Sequence, residues 1–164
     1  MTIQFPGWYT GGLPDRELVV MDMLQPFLDL LNPVGHAVTW LPDDTLTRIE
    51  SGETFHRVYR GAGAVSDDGL WDHANIQIGV IGRSRADSWE ALEYDRQILM
   101  SYMSGGPVTR ADNTVTMVAS VKEMIGPQQL PELNRDHRLV NATFQVTCRR
   151  PRELPDYARI RASL

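Results

Sequence analysis

The densest group of side chains able to do chemistry in this 164-residue sequence is Asp67-Asp68-Gly69-Leu70-Trp71-Asp72-His73. Three carboxylates and an imidazole this close together offer donors for a hard cation, or a carboxylate–histidine pair for hydrolysis. Their order does not follow the D-x-[DN]-x-[DN]-G spacing of a Ca²⁺ loop, and a polar loop leading into a strand explains them as well. A metal-binding or small hydrolytic domain built on Asp67, Asp68, Asp72 and His73 is the reading in a different function class. It predicts an activity or metal uptake that Asp72→Ala abolishes without loss of fold.

The remaining candidates offer less. His36, His56, His73 and His137 are widely separated and form no H-x-x-x-H pair. Cys148, the only cysteine, falls on the apolar phase of an alternating segment, where a thiol is inert packing. Gly61-Ala62-Gly63-Ala64 looks like a Gly-rich loop, but no Lys follows and no helix signal opens there, as a phosphate cradle requires. Asp136-His137 reads as a charged turn. No cofactor or metal is expected, and no catalytic residue is assigned.

The elements that position these residues follow from periodicity. A helix is expected from Pro14-Asp15 to Asn32-Pro33, with Val20, Leu24, Phe27, Leu28 and Leu31 on one face and a kink or break at Pro26. Residues 37–41 read as a strand, Pro42-Asp43-Asp44 as a turn, and the stretch around Ser51-Gly52 as a polar connection. Residues 55–59 read as another strand. Ala74, Ile76, Ile78 and Val80 alternate with polar neighbours, the mark of a half-buried strand. Ser84 stands three residues before Asp87 at the start of a helix with Trp89, Leu92, Leu99 and Met103 on one stripe, which Gly105-Gly106-Pro107 stops. Two strands close the domain, one with Val115, Met117, Ala119 and Val121 on one face, the other with Val140, Ala142, Phe144, Val146 and Cys148. The expected fold is α+β, a mainly antiparallel β-sheet with two α-helices on one face. Residues 1–13 and 151–164 are expected to be extended arms flanking a single domain of residues 14–150.

Composition bounds the function. Hydrophobic residues make up 42% and charged residues 23%, an ordinary globular balance. The net charge of -5 disfavours gripping a nucleic-acid backbone, which needs clustered cations. Lys122 is the only lysine, so arginine carries nearly all the positive charge, as suits interfaces but also follows from a GC-rich genome. The first residues show neither a basic nor an apolar leader region, and no apolar run approaches the ~20 residues of a membrane span, so synthesis in the cytoplasm and no membrane contact are expected.

Five segments carry a resemblance: Val38-Thr39-Trp40-Leu41-Pro42, Arg57-Val58-Tyr59-Arg60-Gly61, Trp71-Asp72-His73-Ala74-Asn75-Ile76-Gln77-Ile78, Ile81-Gly82-Arg83-Ser84-Arg85-Ala86-Asp87, and Met124-Ile125-Gly126-Pro127-Gln128-Gln129-Leu130-Pro131. Over roughly residues 35–150 the chain resembles small tail proteins of siphophages infecting mycobacteria and related actinobacteria, and is similar in element order to their tail terminator family. The resemblance implies a virion protein that forms a hexameric ring at the head-proximal end of the tail. Its implied partners are further copies of itself, the major tail tube protein and a head–tail connector or stopper protein, with DNA passing through the lumen unbound. A head-completion, stopper or other minor tail protein of the neck is the alternative within the same class. The candidate assembly residues are Gly63, Val65, Asp67, Asp68 and Trp71 in a loop read over residues 62–71, Gln128, Gln129 and Leu130 in a loop read over residues 126–134, and Trp8 and Tyr9 on the N-terminal arm.

Overall fold

Strict alternation along residues 71–81 places Ala74, Ile76, Ile78 and Val80 on one side of a strand, all fully buried. Around that strand the computed structural model describes residues 3–129, 138–151 and 154–164. The chain runs α1 (Arg16–Leu28), β1 (Gly35–Val38), α2 (Thr45–Glu50), β2 (Thr54–Val65), β3 (Trp71–Ile81), α3 (Arg85–Met100), β4 (Gly106–Thr109), β5 (Val115–Gln128), β6 (Val140–Arg149) and α4 (Tyr157–Arg161). The six strands lie in the order β1-β2-β3-β6-β5-β4. Only β1 and β2 are parallel; every other neighbouring pair is antiparallel. This is the α+β architecture expected from the sequence.

One face of the sheet carries the core. Val19, Val20, Met23, Leu24 and Leu28 of α1 and Leu92, Ile98 and Leu99 of α3 pack on the inward side chains of β2, β3, β5 and β6. Phe55 and Ile81 are one residue out of phase with this set, so they face the other way, where Ile49 of α2 packs against them. The capping box that opens α3 is present: the Ser84 hydroxyl accepts from the Asp87 amide at 3.1 Å, and the Asp87 carboxylate accepts from the Ser84 amide at 3.0 Å. Among the described residues no helix is long and apolar enough to cross a membrane.

Several expectations are corrected. Pro26 neither kinks nor splits α1; it sits in the last turn, where the helix ends two residues later. The stretch read as a polar connection contains α2, too short and too sparsely apolar to show helical periodicity. Half of the expected loop over residues 62–71 is strand: Ala62, Gly63, Ala64 and Val65 pair with Asn75, Ala74, His73 and Asp72, leaving a turn at residues 66–70. Gly and Ala carry no strand signal of their own, and the strong partner β3 recruits them. Gly106-Pro107 starts β4 as well as following the helix, and Met103 lies beyond α3 with its side chain exposed. Phe27, too, is exposed rather than part of the buried face of α1.

The phase of β5 is corrected too. Val115 and Met117 are 60% and 57% exposed, while Val118 and Val121 are buried. A register shift between Val118 and Ser120 inserts one residue, which moves the following side chains to the opposite face. The strand runs on to Gln128, through residues read as the start of a loop; the rest of that loop, including Leu130, and the Asp136-His137 turn lie outside the described residues. The C-terminal segment is not wholly extended, since it holds α4, capped by the Asp156 carboxylate.

Ser84→Ala, which removes one half of the capping box, is expected to lower unfolding free energy by about 1 kcal/mol. Leu92→Ala, which opens a hole between α3 and the sheet, is expected to cost about 2–5 kcal/mol. Urea denaturation of the purified variants measures both.

Candidate assembly surfaces and the charges buried beneath them

The four residues of the metal or hydrolase reading do not converge. Asp67 and Asp68 lie in the exposed turn between β2 and β3. Asp68 accepts from the Ser66 hydroxyl and from the Leu70 amide, and these hydrogen bonds, Ser66 foremost, hold its carboxyl below the ordinary aspartate range. Asp72 and His73 are consecutive residues of β3, so their side chains leave opposite faces of the sheet. His73 Nδ1 lies 3.0 Å from the Thr147 hydroxyl on the neighbouring strand. Asp72 turns inward and is buried.

What Asp72 does there is structural. The Nε of Arg16, itself 1% exposed, donates to one carboxylate oxygen at 3.0 Å, and Nη2 of Arg60 donates to the other at 3.0 Å. Glu17, next to Arg16, accepts from the Arg60 amide at 2.7 Å. The first turn of α1 is thereby tied to both strands of the β2–β3 hairpin. Nη1 and Nη2 of Arg16 find no hydrogen-bond partner among the described residues, so Asp72 is its sole compensation. The sequence held a signal for this network: Asp72 is in phase with Ala74 and Ile76, and an acid on an apolar face demands a cationic partner.

A second buried polar contact was also missed. His56 is in phase with Val58 and points into the core, where its Nδ1 stands 2.6 Å from Asp95 of α3 and its Nε2 2.9 Å from the Thr54 hydroxyl. The Thr-His-Asp sequence of contacts is that of a nucleophile, base and orienting acid. Both His56 and Asp95 are fully buried, however, and burial pushes the Asp95 carboxyl up, opposed by His56. The group links β2 to α3 rather than facing a substrate. Burial likewise raises the Cys148 thiol, as fits packing.

The sequence-predicted assembly residues fall in three places. In the N-terminal segment Tyr9 stacks on Phe5 with ring centroids 4.4 Å apart, and Trp8, 42% exposed, packs edge-on against Tyr157 of α4 at 5.5 Å. The two chain ends therefore meet each other. Gly63, Val65 and Trp71 lie in the β2–β3 hairpin. Gly63 has φ +126°, and a Cβ there would stand 2.0 Å from the His73 carbonyl oxygen, so only glycine fits. Val65 and Trp71 line a cleft of about 250 Å³ with Leu13 and Leu154. At the far end of the sheet Gln128 pairs with Asn141, and Gln129 accepts from Arg85 at 3.0 Å. That end also holds a larger crevice of about 450 Å³ between α2 and the sheet, lined by Pro42, Leu46, Tyr59, Ile81 and Leu139. Beside it Arg57 lies over the rings of Trp40 and Tyr59, and Trp40 is exposed.

Asp72→Ala leaves Arg16 buried without its counter-charge and is expected to destabilise the fold by about 3–5 kcal/mol, read by thermal or urea denaturation. The metal reading expects a folded variant instead. Asp68 gives a second check. Its folded pKa lies below the unfolded one, so it stabilises above the ordinary aspartate range and that stabilisation is lost as pH falls through the folded value. Ser66→Ala is expected to move the Asp68 titration midpoint upward in a carboxyl-detected NMR titration.

No curated protein matches the chain. A family model described as phage tail termination protein matches residues 12–155, which take in every strand of the sheet and both long helices. The chain belongs to the phage tail termination protein family.

Proposed function

We propose that this protein closes the head-proximal end of a siphophage tail. Copies of the chain, about six as the resemblance to tail terminators implies, form a closed ring that seats on the last ring of tail tube protein, stops further addition, and offers its other face to the head–tail connector. The observation that carries the reading is family membership across the whole domain, which makes the protein a structural component of the phage tail and not an enzyme. The geometry supports it. The polar groups best placed for chemistry are buried ties between elements, whereas Trp40, Leu70, Val115, Met117, Met124 and Ile125 expose apolar surface of the kind that interfaces cover. The net charge of -5 suits a passage through which DNA must slide without being held.

Negative-stain images of the purified protein, alone and with tail tubes, should show closed rings of uniform size and density capping one end of each tube. A protein that stays monomeric and never labels tube ends would overturn the reading. Rings that bind the connector but not the tube would move the protein to the neck.

A further inference from the structure

Two long strands of the sheet lack a neighbour over part of their length. β1 pairs only with residues 54–57 of β2, and β4 only with residues 115–118 of β5. Some of the remaining edge is occupied: the Arg60 amide is taken by Glu17, and the Val121 amide donates to the Tyr102 carbonyl at 3.0 Å. This leaves residues 61–65 of β2 and 122–128 of β5, on opposite edges of the same sheet, with no strand beside them among the described residues.

An open edge presents unpaired amides and carbonyls, and soluble proteins guard such edges with Lys, Pro or bulges. Residues 61–65 read Gly-Ala-Gly-Ala-Val, all exposed, with no charge, no proline and no side chain larger than methyl before Val65. From Gly61 to Ala64 no side chain of β2 itself stands in the way of another backbone. The β5 edge is its opposite in character. Lys122 and Pro127 guard its two ends, and between them Met124 and Ile125 are 46% and 47% exposed. Bulges at residues 123/125 and 125/128 bend the strand and add to the guard against indiscriminate pairing.

We propose that β2 of one copy pairs antiparallel with β5 of the next, joining their sheets edge to edge. This inference rests on the ring reading and assigns the contact that builds the ring. Direction favours it: β2–β3, β3–β6 and β6–β5 are three antiparallel steps, so β5 runs opposite to β2. Copies related by rotation about an axis roughly along the strands therefore present antiparallel edges to each other. The contact joins unlike surfaces, so each copy gives one edge and takes the other until the ring closes. Side chains favour it as well. With Gly63 opposite Ile125, Met124 and Ile125 lie against glycine and alanine, where there is room for them. Lys122, exposed and without an ion pair among the described residues, then comes to the Asp67-Asp68 turn of its neighbour.

The test is a cross-link between copies of the full-length chain. Ala64→Cys with Met124→Cys places a thiol on each edge in this register; Ala62→Cys with Gly126→Cys checks the same register two residues along. The native Cys148 is buried and stays silent. Under mild oxidation each double variant should give a ladder of covalent oligomers on non-reducing electrophoresis that ends at the ring size, and each single variant should give none. Circular dichroism identifies any variant that fails to fold, and the other pair then decides. Rings seen by native mass spectrometry without cross-links in either pair would overturn the edge pairing and leave the ring reading standing. Cross-linking by Ala64→Cys alone would also overturn it, since it joins like edges. Absence of any assembly, with or without tail tubes, would overturn both.

Discussion

The antiparallel ladder between β3 and β6 is the constraint on which the rest of the molecule depends. It runs from Trp71↔Arg149 to Val80↔Val140 without a register shift, unlike the flanking β2–β3 and β5–β6 ladders. Because it is unbroken, Ala74, Ile76, Ile78 and Val80 meet Val146, Phe144, Ala142 and Val140 on a single face. Both long helices find their seat there, and the irregular outer strands are tolerated because this centre does not move. Bulges in β2 and β5 change which face their later residues present, yet the core remains continuous.

Beneath the helices two buried polar contacts fix how the layers sit. Hydrophobic packing is non-directional and would allow α1 or α3 to slide along the sheet. Asp72 holds the start of α1 through Arg16, and His56 holds the middle of α3 through Asp95. Each is costly if mismatched, so each selects one placement of its helix over its neighbours.

The regular parts of the fold were legible because they carry their own periodicity. The alternation of β3 and β6, the apolar stripe around Leu92 and Leu99, and the Ser84–Asp87 spacing are local patterns that the structure realises. The Gly-Ala stretch of β2 was not legible, since its strand character comes from the ladder that β3 imposes rather than from its own residues. The phase change in β5 was hidden for a similar reason: no residue type announces a bulge between Val118 and Ser120. Of the candidate site, Gly63 and Val65 were picked out for their unusual composition, but as a loop. Lys122, Met124 and Ile125, on the opposite edge, carry no local sign that their strand would lie open there. Whether a side chain has a neighbour depends on the lengths of β1 and β4, which stop short of their partners, and no local pattern encodes that.

The depth of the Arg16–Asp72 tie has a consequence for the medium a phage tail meets. Mobile ions screen charges only where they can approach, and both partners here are out of reach of solvent. The surface pairs Arg48–Glu53 and Arg96–Glu123 are partly open, and added salt weakens them. A concentrated electrolyte therefore loosens the periphery of this protein while the seat of its first helix stays as it was.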